Sequence, residues 1–147
     1  MISILLVLLL QTFADLPSAA TVGALNPAVT QATIMTTICV AGWTKTVRPP
    51  VSFTSKLKRQ QMKALGLIGS PSLYEEDHLI SLELGGAPTD PANMWPQPWA
   101  GEWNAHKKDR LENLLHKRVC EGSMTLDDAQ AALSTDWTAA YRQYVKP

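Results

Sequence analysis

Asp77 and His78 are adjacent, Gly85 and Gly86 follow closely, and Asn93 lies fifteen residues beyond the histidine. A histidine, with an ordinary pKa of about 6.5, can take a proton from water near neutral pH. A neighbouring carboxylate suits a hard divalent cation, which can absorb the charge that develops on a leaving oxygen. Those are the two demands of phosphodiester hydrolysis. Adjacency sets a condition, because neighbouring side chains on a strand point to opposite faces. A bend or bulge is required if Asp77 and His78 are to serve one site.

The elements that must position these residues can be read from periodicity and punctuation. Tyr74 to Leu84 reads as a strand leading into Gly85-Gly86, and Ala87 to Pro91 as a loop. Asn93 to Pro98 returns as a short second strand, which Pro96 and Pro98 restrict to an edge or to unpaired extended backbone. A helix is expected from about Asn104 to Glu121, with Leu111, Leu114, Leu115 and Val119 on one stripe and Gly122 as its stop. Thr125 and Asp128 have the spacing of a capping box for another helix, and a last one runs from Thr135 to Tyr144. Upstream, Thr54 or Ser55 can cap a helix to about Leu65, whose Lys56, Arg59 and Lys63 share a face that could meet phosphates. Residues 21 to 53 read as an extended lead-in with a short strand near Thr37 to Val40. The expected fold is α+β, mostly helical by residue count.

The segment DHLISLELGGAPTDPANMW resembles the HNH family of nucleases, in which a β-hairpin and one helix, the ββα-metal or His-Me finger, clasp a single divalent ion. The stretch from Tyr74 to Tyr141 is also similar to small exported bacterial proteins that carry such a core. The resemblance implies that His78 is the general base and Asp77 a metal ligand. It implies that Gly85 and Gly86 permit a sharp hairpin turn, and that Asn93 holds the loop and orients the histidine ring. For the family's last ligand, at the start of the helix, Asn104 is preferred. Another alignment puts Ala105 there and leaves His106 or Glu112 to substitute. The implied cofactor is one Mg²⁺ or Mn²⁺ ion, with Zn²⁺ or Ni²⁺ as alternatives. The implied partner is DNA or RNA, bound by a monomer through Lys56, Arg59, Lys63 and Lys108. Ser81 stands where the family commonly has proline, and the paired CxxC knuckles of many members are absent. Lys108, Asp109 and Glu112 also fit a plain intrahelical ion-pair face. Two other functions stay open: a nucleic-acid binder on a decayed nuclease fold, and a carbohydrate-binding module built on Trp95, Trp99 and Trp103.

The rest of the composition bounds these readings. A chain of 147 residues, 46% hydrophobic and 18% charged, suits one domain. Residues 1 to 20 read as a secretory signal, with an apolar run that ends at Gln11 and small residues at Ser18 and Ala20, although no basic residue precedes the run. Residues 21 to 53 form the lead-in and 54 to 147 the nuclease-like domain. Export to a secreted or periplasmic location, with no stable membrane association after cleavage, favours a disulfide between Cys39 and Cys120 over two buried thiols. The net charge is zero but unevenly spread. From Thr21 to Tyr74 there are six basic and no acidic residues, while from Glu75 onward twelve acidic residues face seven basic ones. That asymmetry fits a polyanion-facing surface beside a cation-binding one, and equally a solvated basic helix.

Overall fold

The computed structural model describes residues 15 to 145; the apolar run of the expected signal lies outside the described residues. The chain folds as a small α+β structure, mostly helical, with one two-stranded antiparallel sheet. In chain order the elements are α1 (Trp43–Val47), α2 (Val51–Ala64), β1 (Tyr74–His78), β2 (Met94–Pro98), α3 (Ala105–Cys120) and α4 (Leu126–Tyr144), interspersed with short 3₁₀ turns. In the sheet, His78 pairs with Met94 and Tyr74 with Pro98. A two-stranded sheet consists only of edges, so Pro96 and Pro98 are tolerated within a paired strand.

Several boundaries differ from the sequence reading. β1 stops at His78, and Leu82–Leu84 forms a 3₁₀ turn instead of extending the strand. No strand forms at Thr37 to Val40. Thr33 and Thr37 hydroxyls bond nearby carbonyls there, and Cys39 N–H closes onto Ile34 O, so the backbone satisfies itself locally and turns. α2 begins at Val51, after Pro50 in extended conformation, while Thr54 bonds back to Val51 O inside the helix instead of capping it. The two expected C-terminal helices are two limbs of α4. Asp136 departs from helical geometry at φ −161°, and its carboxylate caps the second limb by accepting from Thr138 N and Ala139 N.

One apolar core lies between α3, α4 and the inter-strand loop, filled by Leu79, Leu84, Leu111, Leu115, Leu133 and Trp137 among others. The N-terminal segment adds Val29, Ile34 and Ile38 to it. That segment also fixes the loop between the strands through backbone bonds: Asn26 N–H donates to Gly85 O, Ala87 N–H to Ala24 O, and Gly23 N–H to Ala92 O. Gln130 of α4 clamps the same loop through Leu84 O at 2.9 Å. α2 lies along both strands, with Lys58 Nζ on Tyr74 O and Gln61 Nε2 on Met94 O. The Cys39–Cys120 disulfide joins the N-terminal segment to the end of α3 across 81 residues of sequence.

Candidate functional site

His78 ends β1 and is buried. Its Nε2 lies 2.8 Å from the carbonyl oxygen of Pro88. A carbonyl only accepts, so Nε2 carries the proton and Nδ1 keeps its lone pair. Burial holds the ring's pKa below the ordinary histidine value, against the opposing pull of the Pro88 carbonyl and Asp77. The ring is therefore neutral, with one basic nitrogen, at pH 7.

Asn93 makes that arrangement possible without touching the ring. Its Oδ1 accepts from Ile80 N at 2.9 Å, and its Nδ2 donates to Ile80 O at 3.0 Å and Ala87 O at 3.1 Å. Fully buried, it staples the two ends of the loop that carries Pro88. Gly86 sits in the same closure. A Cβ there would fall 1.7 Å from Ile80 O, closer than any two such atoms can approach, so only glycine fits. Gly85, at φ +80°, ends the 3₁₀ turn in left-handed backbone. The two glycines thus serve a long clamped loop, not the tight hairpin turn expected from sequence.

On the other side of β1, Asp77 reaches α3. Lys108 Nζ lies 2.7 Å from Asp77 Oδ2, donates to His78 O at 2.7 Å, and pairs with Glu112 one helical turn on. Burial alone would lower the lysine pKa, but Asp77 and Glu112 more than reverse it and hold the ammonium charged. Lys108 has no exposed surface. It cannot meet a phosphate, which corrects its expected role in nucleic-acid binding. Asn104 is also spent elsewhere: it is the N-cap of α3, accepting from Lys107 N and donating to Gly101 O. The three oxygens converging near Asp77 surround an ammonium, and the donor set as folded does not fit a divalent ion.

A cavity of about 450 Å³ opens beside His78, lined also by Arg48, Lys58, Glu75, Glu76 and Trp99. A second, of about 260 Å³, lies across Arg48 and is lined by Ser81, Glu83, Asp109 and Glu112. Burial, reinforced by Asp77 and Asp109, raises the Glu75 pKa to about 7. Burial and Asp77 raise that of Glu76 to about 8, so a share of both groups is protonated near neutrality. From sequence alone Arg48, Glu75 and Glu76 have no assigned role, although Glu76 adjoins the Asp77-His78 pair. The available signals were a lone arginine before Pro49-Pro50 and two carboxylates at i−2 and i−3 from the histidine.

Other expected residues do not join the cleft. Lys56, Arg59 and Lys63 are exposed, on the side of α2 away from Lys58, Gln61 and Met62, which face the sheet. The three tryptophans do not make one platform. Trp95 is buried in β2, Trp103 packs edge-on against Trp137 and Tyr141, and Trp99 alone is half exposed, tilted against His106. A separate cluster brings Cys39, His116 and Cys120 together, with ligand atoms within 4.8 Å of one another. Such a group can hold a metal ion, but here its two cysteines are joined as a disulfide. The chain matches no family model, no curated protein and no solved structure.

Proposed function

We propose that this protein hydrolyses phosphodiester bonds of nucleic acid, with His78 as the general base. The observation that carries this reading is the fixed tautomer of His78, whose Nε2 is committed to Pro88 O and whose Nδ1 is left basic. In the proposed reaction Nδ1 takes a proton from water as it attacks phosphorus. Arg48, exposed between the two cavities, pairs with a phosphate oxygen. Glu76, with its pKa of about 8, carries the proton that the leaving oxygen needs. Asn93 is a positioning residue, acting on the ring through the loop that holds Pro88. A Mg²⁺ or Mn²⁺ ion at Asp77 and Glu112 would have to displace the Lys108 ammonium, so no step is routed through one.

The test is nicking of plasmid DNA and of RNA, in chelator and in Mg²⁺, Mn²⁺, Ni²⁺ or Zn²⁺. Turnover is expected, with His78→Ala losing on the order of 10²- to 10⁴-fold in rate while keeping its fold. The acid limb of the rate profile should lie below pH 6.5, because burial depresses the base's pKa. Absence of cleavage under every condition rejects the proposal.

One observation favours a second reading. An ammonium, that of Lys108, sits between Asp77 and Glu112, the carboxylates proposed from sequence as metal ligands, which suits a nucleic-acid binder without turnover. Salt-dependent DNA retention with no product would select it. Under either reading the disulfide fits an oxidising compartment, in keeping with export. Among the described residues, no helix is long and apolar enough to cross a membrane.

A further inference from the structure

The cluster at the far end of α3 takes no part in the proposed hydrolysis. His116 and Cys120 are four residues apart on α3, which puts them on one face of the helix. His116 Nε2 lies 3.5 Å from Cys120 Sγ, and Cys39 is joined to that sulfur from the N-terminal segment. Behind the ring, His116 Nδ1 lies 3.7 Å from Glu83 Oε2. A carboxylate behind an imidazole is the arrangement that orients histidines bound to metals. A cavity of about 280 Å³ reaches the cluster and is lined by Cys39, Trp43, Thr44, Glu83 and His116, with room for a fourth ligand.

We propose that, once the disulfide is reduced, Cys39 Sγ, Cys120 Sγ and His116 Nε2 bind one thiophilic divalent ion of the Zn²⁺ class, so that metal and disulfide are alternative occupants of one site. A dithiol reductant supplies the two electrons. Its own sulfurs pair as a disulfide while Cys39 and Cys120 become thiols. Binding of the ion then releases the two thiol protons, since the ligands are thiolates. His116 exchanges tautomers in the process. Its Nε2, now 2.8 Å from Ile38 O, becomes the metal-bound nitrogen, and the proton moves to Nδ1, facing Glu83. Two sulfurs and one nitrogen leave a fourth tetrahedral position for water. In either state the N-terminal segment stays tied to α3.

The experiment uses the full chain reduced with a phosphine, freed of metal, and titrated with Co²⁺ and then Zn²⁺. One Co²⁺ per reduced chain is expected, with a thiolate-to-metal absorption band that Zn²⁺ abolishes; the oxidised chain gives no band. His116→Ala keeps both cysteines and should weaken binding more than 10-fold. Glu83→Gln should weaken it about 10-fold while leaving the band in place. Circular dichroism of the oxidised variants verifies that they fold before reduction. The proposal is overturned if the reduced chain gives no band, if His116→Ala binds as tightly as the unaltered protein, or if the oxidised chain binds equally well.

Discussion

The two sides of β1 present opposite solutions to buried charge. Toward α3, Asp77 and Glu112 enclose Lys108, and donors and acceptors meet within a closed cluster. Toward the cleft, Glu76 is desolvated without an ion-pair partner, and His78 has one nitrogen bonded and one free. A satisfied buried cluster is rigid and inert, whereas unpaired groups at perturbed pKa are where proton transfer is found. One strand thus borders a closed cluster through Asp77 and an open cleft through Glu76 and His78.

The largest effect on stability should come from the closed side. Lys108→Met leaves the buried Glu112 and the partly buried Asp77 without their cation and should cost roughly 3 to 5 kcal/mol in urea unfolding. A loss under about 1 kcal/mol would mean that the cluster does not hold α3 to β1. If Mg²⁺ restores the variant's midpoint, the oxygens can accept a divalent ion once the ammonium is gone. Asn93→Ala is next. It strands Ile80 N–H and two carbonyls, at an expected cost on the order of 2 to 3 kcal/mol, and should lower the rate further by freeing Pro88.

The open side is tested through pH. A carboxyl raised to about 8 binds a proton in the folded state that the unfolded chain releases above about 4.5, so stability should fall as pH rises from about 4.5 to 8. Glu76→Gln should flatten the upper part of that decline in Tm. An unchanged slope would mean that Glu76 does not cause it. The smallest stability change belongs to α2, where replacing Lys56, Arg59 and Lys63 together by Gln should leave Tm nearly unchanged. The same variant should lower the salt dependence of DNA binding by about 0.9 for each phosphate that the face no longer neutralises. Undiminished DNA retention at the same salt concentration would show that this face does not touch DNA.

Much of this arrangement was legible because it depends on local chemistry. The strand, loop, strand and helix follow from Tyr74, Gly85-Gly86, the proline-bearing loop and the Asn104 cap, each signalling its own element. The pairing of Cys39 with Cys120 followed from an even count and an oxidising context. Lys108 was misread because its i,i+4 spacing to Glu112 describes an exposed pair and a buried one equally well; burial depends on the packing of α3 against β1. Arg48 gave no periodic signal, since tertiary folding alone carries it to the cleft. The strand expected at Thr37 failed because side-chain bonds of threonine compete with a ladder that had no partner strand. The spacing of His116 and Cys120 was visible, but a third ligand 77 residues upstream of the histidine was not.

A counter-ion bound from solution is present only as often as its concentration allows, and is lost to chelators or dilution. The ammonium of Lys108 is carried on the chain and sealed from solvent, so it is present in every folded molecule and is screened by salt far less than a surface pair. The joint between α3 and β1 should therefore depend only weakly on ionic strength and not at all on the supply of free divalent ions.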